Sequence, residues 1–407
     1  MKQRSAPAEP GSAQAARPDP VRSSDPASAD GGGPAPAPAG DPAPAPEGRP
    51  GSGPELDEAR VEEFAGRLFE TYAAGMLNLM IDLAYRTGLL EQLAAGPGTS
   101  EQLAERSELT ERYVRECLGA LVTGGLVEYA PKTGRYALPP EHAVCLTGEG
   151  ALNLAPYSRI TTLLAQHVPG VARAFREGGG VPYEAYRPEF TDVMDESSRG
   201  DFDGRLLSVV LPLTGDVPDR LAAGARAGDL GCGTGHAVNV LAAAFPASHF
   251  TGYDLAADAV ERGRAEAAEW RLGNADFEVL DVTELPADPP FDVLFAFDAV
   301  HDQAAPDAVL ARAYEALRPG GVLVMVDIKA SSSLEGNIGN PMAPWLYGVS
   351  TLHCMTVSLA RSGAGLGTVW GVEQAQRMLA DARFAPVALH DIPEDPMNCV
   401  YVAHRPA

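Results

Sequence analysis

The stretch Asp229-Leu230-Gly231-Cys232-Gly233-Thr234-Gly235-His236 decides the fold. Alternating glycines between a strand-like and a helix-like run make a tight turn whose backbone can approach a ligand closely. In an open α/β sheet such a turn sits at the carboxyl edge, where these folds bind. Downstream the grammar repeats, with strand-like runs at 249–255, 276–282, 291–300 and 321–328 and helical runs at 256–270 and 310–317. That alternation implies α/β architecture, a parallel sheet with helices on both faces. Two last strands, 385–392 and 398–405, are joined by the short link 393–397, which suits an antiparallel hairpin. Just ahead of the glycine turn, residues 223–231 are rich in Ala and Gly and include Arg226, the weakest strand of the set by propensity.

Asp254 closes the second strand nineteen residues after Gly235, where an acidic side chain can accept hydrogen bonds from both ribose hydroxyls. A nicotinamide dinucleotide site wants G-x-G-x-x-G/A, and His236 occupies the third position, so an oxidoreductase fits poorly. The spacing instead resembles motif I of the class I S-adenosylmethionine-dependent methyltransferases. Tyr253-Asp254 looks like the family's ribose-binding position and Asp281-Val282 like the pair beside the adenine. Leu317-Arg318-Pro319-Gly320-Gly321 is similar to the turn before the fifth strand. The resemblance implies a Rossmann-like seven-stranded sheet, mostly parallel with the C-terminal hairpin antiparallel, and S-adenosyl-L-methionine as cofactor. It assigns cofactor contacts to Asp229, Gly231, Cys232, Gly233, Gly235, Asp254, Leu255, Asp281, Val282 and Phe297. Taken alone, Cys232 reads as a small buried filler with no activating partner.

The fourth strand runs out through Phe297-Asp298-Ala299-Val300-His301-Asp302-Gln303. Residues just past the carboxyl end of such a strand face the ligand crevice, so His301 is placed where a methyl acceptor would lie. An imidazole, with a reference pKa of ~6.5, can take a proton from an acceptor hydroxyl near neutral pH. The segment also resembles the His-Asp-Trp motif of plant small-molecule O-methyltransferases, where the histidine is the general base. Gln303 stands in place of that tryptophan. A histidine that only caps the next helix is the bland alternative.

Between the fifth strand and the helical run at 371–384 lies an insertion, 329–370, carrying Trp345, Tyr347, His353, Met355 and Trp370. Long ordered insertions at a ligand edge serve as lids or acceptor walls, and these aromatics suit an apolar or aromatic acceptor or, equally, a dimer interface. Trp345, Tyr347 and His353 are therefore candidate substrate contacts. Tyr183, in a Gly- and Pro-containing stretch ahead of the sheet, is another, with an ordinary loop turn as its rival.

Residues 56–90 show apolar positions at helical spacing. A short helix follows, with Thr99 or Ser100 as N-cap, and then a second helix from Thr110 to Gly124-Gly125. A hairpin turns at Lys132-Thr133-Gly134, completing a mainly helical winged-helix pattern. Such a module either places its second helix in a DNA major groove or serves packing and dimerisation. Glu111, Arg112, Arg115 and Glu116 cancel one another on that helix, so the basic footprint of a DNA reader is missing. With the insertion and the closing hairpin, the chain resembles a bacterial methyltransferase family with a winged-helix N-terminal domain, over about 58–405. That resemblance implies a homodimer.

Composition bounds the rest. The 407 residues carry a formal charge of −24, which argues against nucleic acid and against anionic membranes as partners. Five cysteines without a CxxC pair suggest neither disulfides nor a metal site and point to a reducing, cytoplasmic setting. They also lack the clustered thiolates that methylation of arsenite would need. There is no signal-peptide pattern and no run of 18 apolar residues. Residues 1–54 hold 13 of the 35 prolines in Pro/Ala-rich runs without apolar periodicity and read as a disordered tail. The remaining divisions are 55–145 for the winged-helix or dimerisation domain, 146–215 for a helical linker and 216–407 for the cofactor-binding domain. The reading is thus a methyltransferase acting on a small-molecule acceptor, most simply at oxygen. Its rival is a winged-helix DNA-binding regulator whose sheet domain senses S-adenosylmethionine.

Overall fold

The run with the poorest strand propensity forms an interior strand of the large sheet, paired on both sides. The computed structural model describes residues 56–407; the tail read at 1–54 lies outside the described residues. In chain order the strands are β1 (Glu128–Ala130), β2 (Arg135–Ala137), β3 (Arg226–Leu230), β4 (His249–Asp254), β5 (Ala275–Val279), β6 (Phe291–Phe297), β7 (Leu317–Ile328), β8 (Val387–Asp391) and β9 (Asn398–His404). Seven of them make one sheet in the order β5-β4-β3-β6-β7-β9-β8. β3 pairs in parallel with β4 and β6, while β9 runs antiparallel to both β7 and β8. This is the mostly parallel sheet with a C-terminal antiparallel hairpin that the sequence predicts.

Packing explains why β3 is poor in large residues. A Cβ on Gly228 would come within 3.0 Å of both Leu294 and Phe291, which fill the space beside it from β6. Tertiary packing here outweighs propensity, as it commonly does in central strands. Alternation along the strands then separates two cores. Ala227, Val293, Phe295 and Val324 face one helical layer, and Leu230, Leu294, Leu323 and Met325 the other.

Ahead of the sheet, a helix spans Glu58–Arg86 and a short one Leu89–Ala95. Thr99 caps the next, Ser100–Ser107: its side chain accepts from the Gln102 N–H while the Gln102 side chain accepts from the Thr99 N–H. Such a cap contributes about 1 kcal/mol. The helix Glu111–Thr123 and the β1–β2 hairpin complete the module, around a core of its own that includes Leu90, Leu103, Leu118 and Leu121.

Between module and sheet lie the helices Ala155–Ala165, Val168–Glu177 and Glu189–Asp201, the last continuing as π-helical turns over Phe202–Val210. The insertion after β7 folds back on them. A Cβ on Gly180 would overlap the Thr356 carbonyl oxygen at 1.8 Å, so only glycine permits this approach to the helix Met355–Ala360. No helix of the described residues is long and apolar enough to cross a membrane.

Candidate functional site

A cavity of about 550 Å³ opens along the carboxyl edge of β3, β4 and β6 and is roofed by the helix Glu189–Asp201 and the insertion. The glycine turn forms its floor. Gly231 and Cys232 both donate backbone N–H bonds to the Tyr253 carbonyl, 2.8 and 3.0 Å, which staples the turn to the end of β4. Gly231 has φ +74° and a Cβ there would meet Ala299 at 2.7 Å; around Gly233 the space is open. Asp254 receives the Gly233 N–H on Oδ2 and the Ala256 N–H on Oδ1, each at 2.8 Å. Asp281 caps the next turn by accepting from the Thr283 N–H and hydroxyl.

Of the cofactor contacts drawn from sequence, Asp229, Gly231, Cys232, Gly233, Asp254, Leu255, Asp281, Val282 and Phe297 line this one cavity. Gly235 does not. It lies behind the turn, at φ +73°, where a Cβ would strike the Phe277 ring at 2.1 Å. Its glycine answers to core packing rather than to a ligand. Asp229 has a buried Oδ1 with no hydrogen-bond partner. Burial, with the neighbouring charge of Asp254, pushes its carboxyl up to about 7. A buried acceptor left without a donor costs about 1–3 kcal/mol. A cationic or N–H-bearing ligand group on this floor relieves that cost, which is the fit expected of a cofactor with an amino group.

His301 stands past the end of β6 and is buried at 4% exposure. Its Nδ1 donates to Asp327 Oδ1 at 2.8 Å, an assignment that follows from the carboxylate having only acceptors to offer. Asp327, fully buried at the end of β7, also accepts from the Trp370 indole N–H at 3.0 Å and from the Ile328 N–H at 2.8 Å. With Nδ1 committed to Asp327, Nε2 of His301 carries the lone pair whenever the imidazole is neutral. Burial is the largest single influence on His301 and lowers its pKa, but the charge and hydrogen bond of Asp327 together with those of Cys354 more than offset it and hold the pKa well above the ordinary imidazole value. Asp298, at φ +51° on the cavity side, joins them with ligand atoms within 4.8 Å of one another. Because His301 and Asp327 are already bonded to each other, the arrangement suits a proton-handling dyad rather than a cation. Burial also pushes Asp298 upward, with Asp327 adding to it.

Tyr183, Trp345 and His353, the candidate substrate contacts, line the same cavity, together with Tyr157 and Phe190. Tyr347 is not part of it. Helical geometry places it about 200° round from Trp345 on the helix Ala343–Val349. Its hydroxyl accepts from the Asn337 amide at 3.2 Å instead.

Sequence reading missed the roof. Asp195 accepts from the Thr234 hydroxyl at 2.6 Å and pairs with Arg199 and Arg262, tying the Glu189–Asp201 helix to the glycine turn and to the helix Ala257–Glu269. His236, read only as a fingerprint mismatch, is buried between Glu266 and Asp203, at 3.0 and 2.8 Å. The i, i+4 pair of Asp195 and Arg199 was a weak available signal. In the winged helix, Arg112 pairs with Glu116 and Arg115 with Glu111, so the charge cancellation expected from sequence is made by direct contacts.

Two family models match the chain: an Rv2258c-like winged HTH domain over residues 75–148 and a methyltransferase domain over 221–383. These matches bear out the resemblance drawn from the motifs. Among curated relatives, a trans-aconitate 2-methyltransferase of Methylobacterium nodulans is 36% identical over 105 residues, 26% of this chain and 39% of that protein. The 27-O-demethylrifamycin SV methyltransferase of Amycolatopsis mediterranei is 29% identical over 182 residues, 44% of this chain and 60% of its own. The chain thus spans less than two thirds of the length of these relatives. Solved structures share the fold more fully. The mitomycin 7-O-methyltransferase superposes with a TM-score of 0.60 at 19% identity, covering 85% of this chain and 98% of that one. Human N-acetylserotonin methyltransferase, in complex with SAM, gives 0.60 at 18% identity, covering 87% and 100%.

Proposed function

We propose that this chain, an Rv2258c-like winged helix joined to a methyltransferase domain, transfers the methyl group of S-adenosylmethionine to an oxygen of a small apolar or aromatic acceptor. One observation carries the reading. A glycine turn with an unsatisfied buried Asp229 lines the same cavity as His301, which is backed from behind by Asp327. The cofactor, when bound, supplies a sulfonium-activated methyl group. Asp229 would receive its amino group, Asp254 its ribose, and Asp281 with Val282 its adenine. His301 Nε2 takes the proton of the acceptor hydroxyl, and Asp327 stabilises the imidazolium that results. The aromatic walls orient the acceptor and exclude water.

Calorimetric titration with S-adenosylhomocysteine tests the cofactor assignment. The wild type is expected to bind in the micromolar range, and Asp254→Ala to weaken binding at least tenfold (about 1.4 kcal/mol). That carboxylate both orders the glycine turn and faces the ribose position. A wild type that binds nothing sinks the reading.

The rival, a DNA-binding regulator that senses the cofactor, draws on the winged-helix match. The paired charges on the Glu111–Thr123 helix favour a packing role instead. Val61, Phe64, Leu68, Phe69, Tyr72 and Met76 are exposed on the helix Glu58–Arg86, at spacings that put them on one face. An apolar stripe of this kind marks an interaction surface, and a second copy of the chain is its proposed partner. Sedimentation of Phe69→Asp/Tyr72→Asp should show monomers where the wild type shows dimers. A monomeric wild type removes the proposal.

A further inference from the structure

We infer that His353 selects the acceptor by holding a second oxygen of an aromatic alcohol whose reacting hydroxyl faces His301, so that the substrate class is a dioxygenated aromatic. This rests on the methyltransferase reading and extends it to the substrate.

His353 lines the cavity yet is only 1% exposed, and its Nε2 is buried with no hydrogen-bond partner. The cost of an unmet polar atom, about 1–3 kcal/mol, is not recovered within the protein. Nothing in the packing leaves the ring free to turn and find a partner. It stacks on Phe190, with centroids 3.8 Å apart and planes 12° from parallel, and the Tyr186 ring meets it edge-on at 4.8 Å. The Tyr186 hydroxyl donates to the Leu352 carbonyl at 2.5 Å and so clamps the backbone one residue earlier. The ring is pre-oriented, which is what recognition of one atom on a ligand requires.

Local backbone geometry adds a second, independent sign. His353 sits in a π-helical turn, Ser350–Cys354. Such turns interrupt the regular helix ladder and recur at functional sites. The other π-helical segment of the described residues, Phe202–Val210, borders the same cavity through Phe202, Arg205 and Leu206.

The charge state then narrows the ligand. Burial, with His301 and His167 nearby adding to it, lowers the pKa of His353 to about 3. A neutral imidazole offers one N–H and one lone pair, which matches a hydroxyl or carbonyl and gives a carboxylate no ionic partner. Around it Tyr183, Phe190 and Trp345 supply flat apolar walls, so the group that carries the oxygen is a ring. His301, on the same cavity, addresses the hydroxyl to be methylated. One acceptor meeting both histidines carries two oxygens.

The test uses the full chain saturated with S-adenosylhomocysteine and titrates in 1-naphthol, 2-naphthol and a set of dihydroxynaphthalene isomers. At least one isomer should bind tenfold or more tightly than either naphthol. His353→Phe, close in shape, should erase that advantage while naphthol affinity stays within twofold. His353→Leu serves as a second variant with the same expectation, and His353→Gln, which keeps a hydrogen-bonding group, should restore part of the advantage. If the product complex forms but the isomers bind no better than the naphthols, or His353→Phe and His353→Leu keep the preference, the inference is overturned and the cofactor reading stands. Failure of S-adenosylhomocysteine itself to bind overturns that reading, and the inference with it.

Discussion

His301→Ala is expected to lower kcat by ~10²–10⁴, the usual share of a positioned general base, while leaving affinity for S-adenosylhomocysteine within twofold. The separation follows from geometry. His301 stands past β6 and is held by Asp327 at the end of β7, whereas the turn that would carry the cofactor leaves β3. The pH dependence supplies a sharper check. A base works only when neutral, so kcat rises with pH through the pKa of His301. That pKa lies above the ordinary imidazole value, since Asp327 and Cys354 together more than offset the lowering by burial. The rising limb therefore sits to the alkaline side of ~6.5. Asp327→Asn removes the negative charge and should move the limb toward acid while reducing kcat. Alignment alone can supply much of the acceleration of a methyl transfer from an activated donor. An His301→Ala protein with wild-type kcat and an unchanged pH profile would assign the rate to alignment and remove the base.

Gly235→Ala is expected to be strongly destabilising, although Gly235 does not line the cavity. Two costs combine. The φ of +73° is a left-handed conformation, worth about 1–3 kcal/mol to a residue with a Cβ, and the new methyl would sit 2.1 Å from the Phe277 ring. Overpacking of a filled core adds about 1–3 kcal/mol. Gly252 and Gly263 press on the same ring, with Cβ positions at 2.8 and 2.7 Å, so the three glycines form a slot for Phe277. A thermal melt should fall by at least about 5 °C, at roughly 2–4 °C per kcal/mol for a large domain. Adding Phe277→Leu should return part of the loss by relieving the overlap but not the backbone strain. A melt unchanged from wild type would show that the slot is not tight.

Much of the fold was legible because its signals are local. The Thr99–Gln102 cap, the turn at Lys132-Thr133-Gly134 and the strand-helix alternation after residue 226 each depend on backbone geometry within a dozen residues. The weak strand at 226–230 was the exception. Its glycine is explained only by Phe291 and Leu294, some sixty residues away. Gly235 shows the opposite error: it belongs to the glycine pattern, yet its neighbour Phe277 gives it a packing role. Tyr347 had the right composition for an acceptor wall and the wrong helical phase.

The sequence by itself determined the order of elements, the glycine turn and the acidic residues at successive strand ends. Those features follow from chain geometry and the two periods of secondary structure. Only the tertiary structure decided what each reactive side chain touches. His301 meets Asp327 across 26 positions, and Asp327 meets Trp370 across 43. His353 stacks on Phe190 from the other side of the sheet's sequence. A partner that far along the chain leaves no trace in periodicity or spacing, because the contact is set by how layers pack rather than by the backbone between the residues.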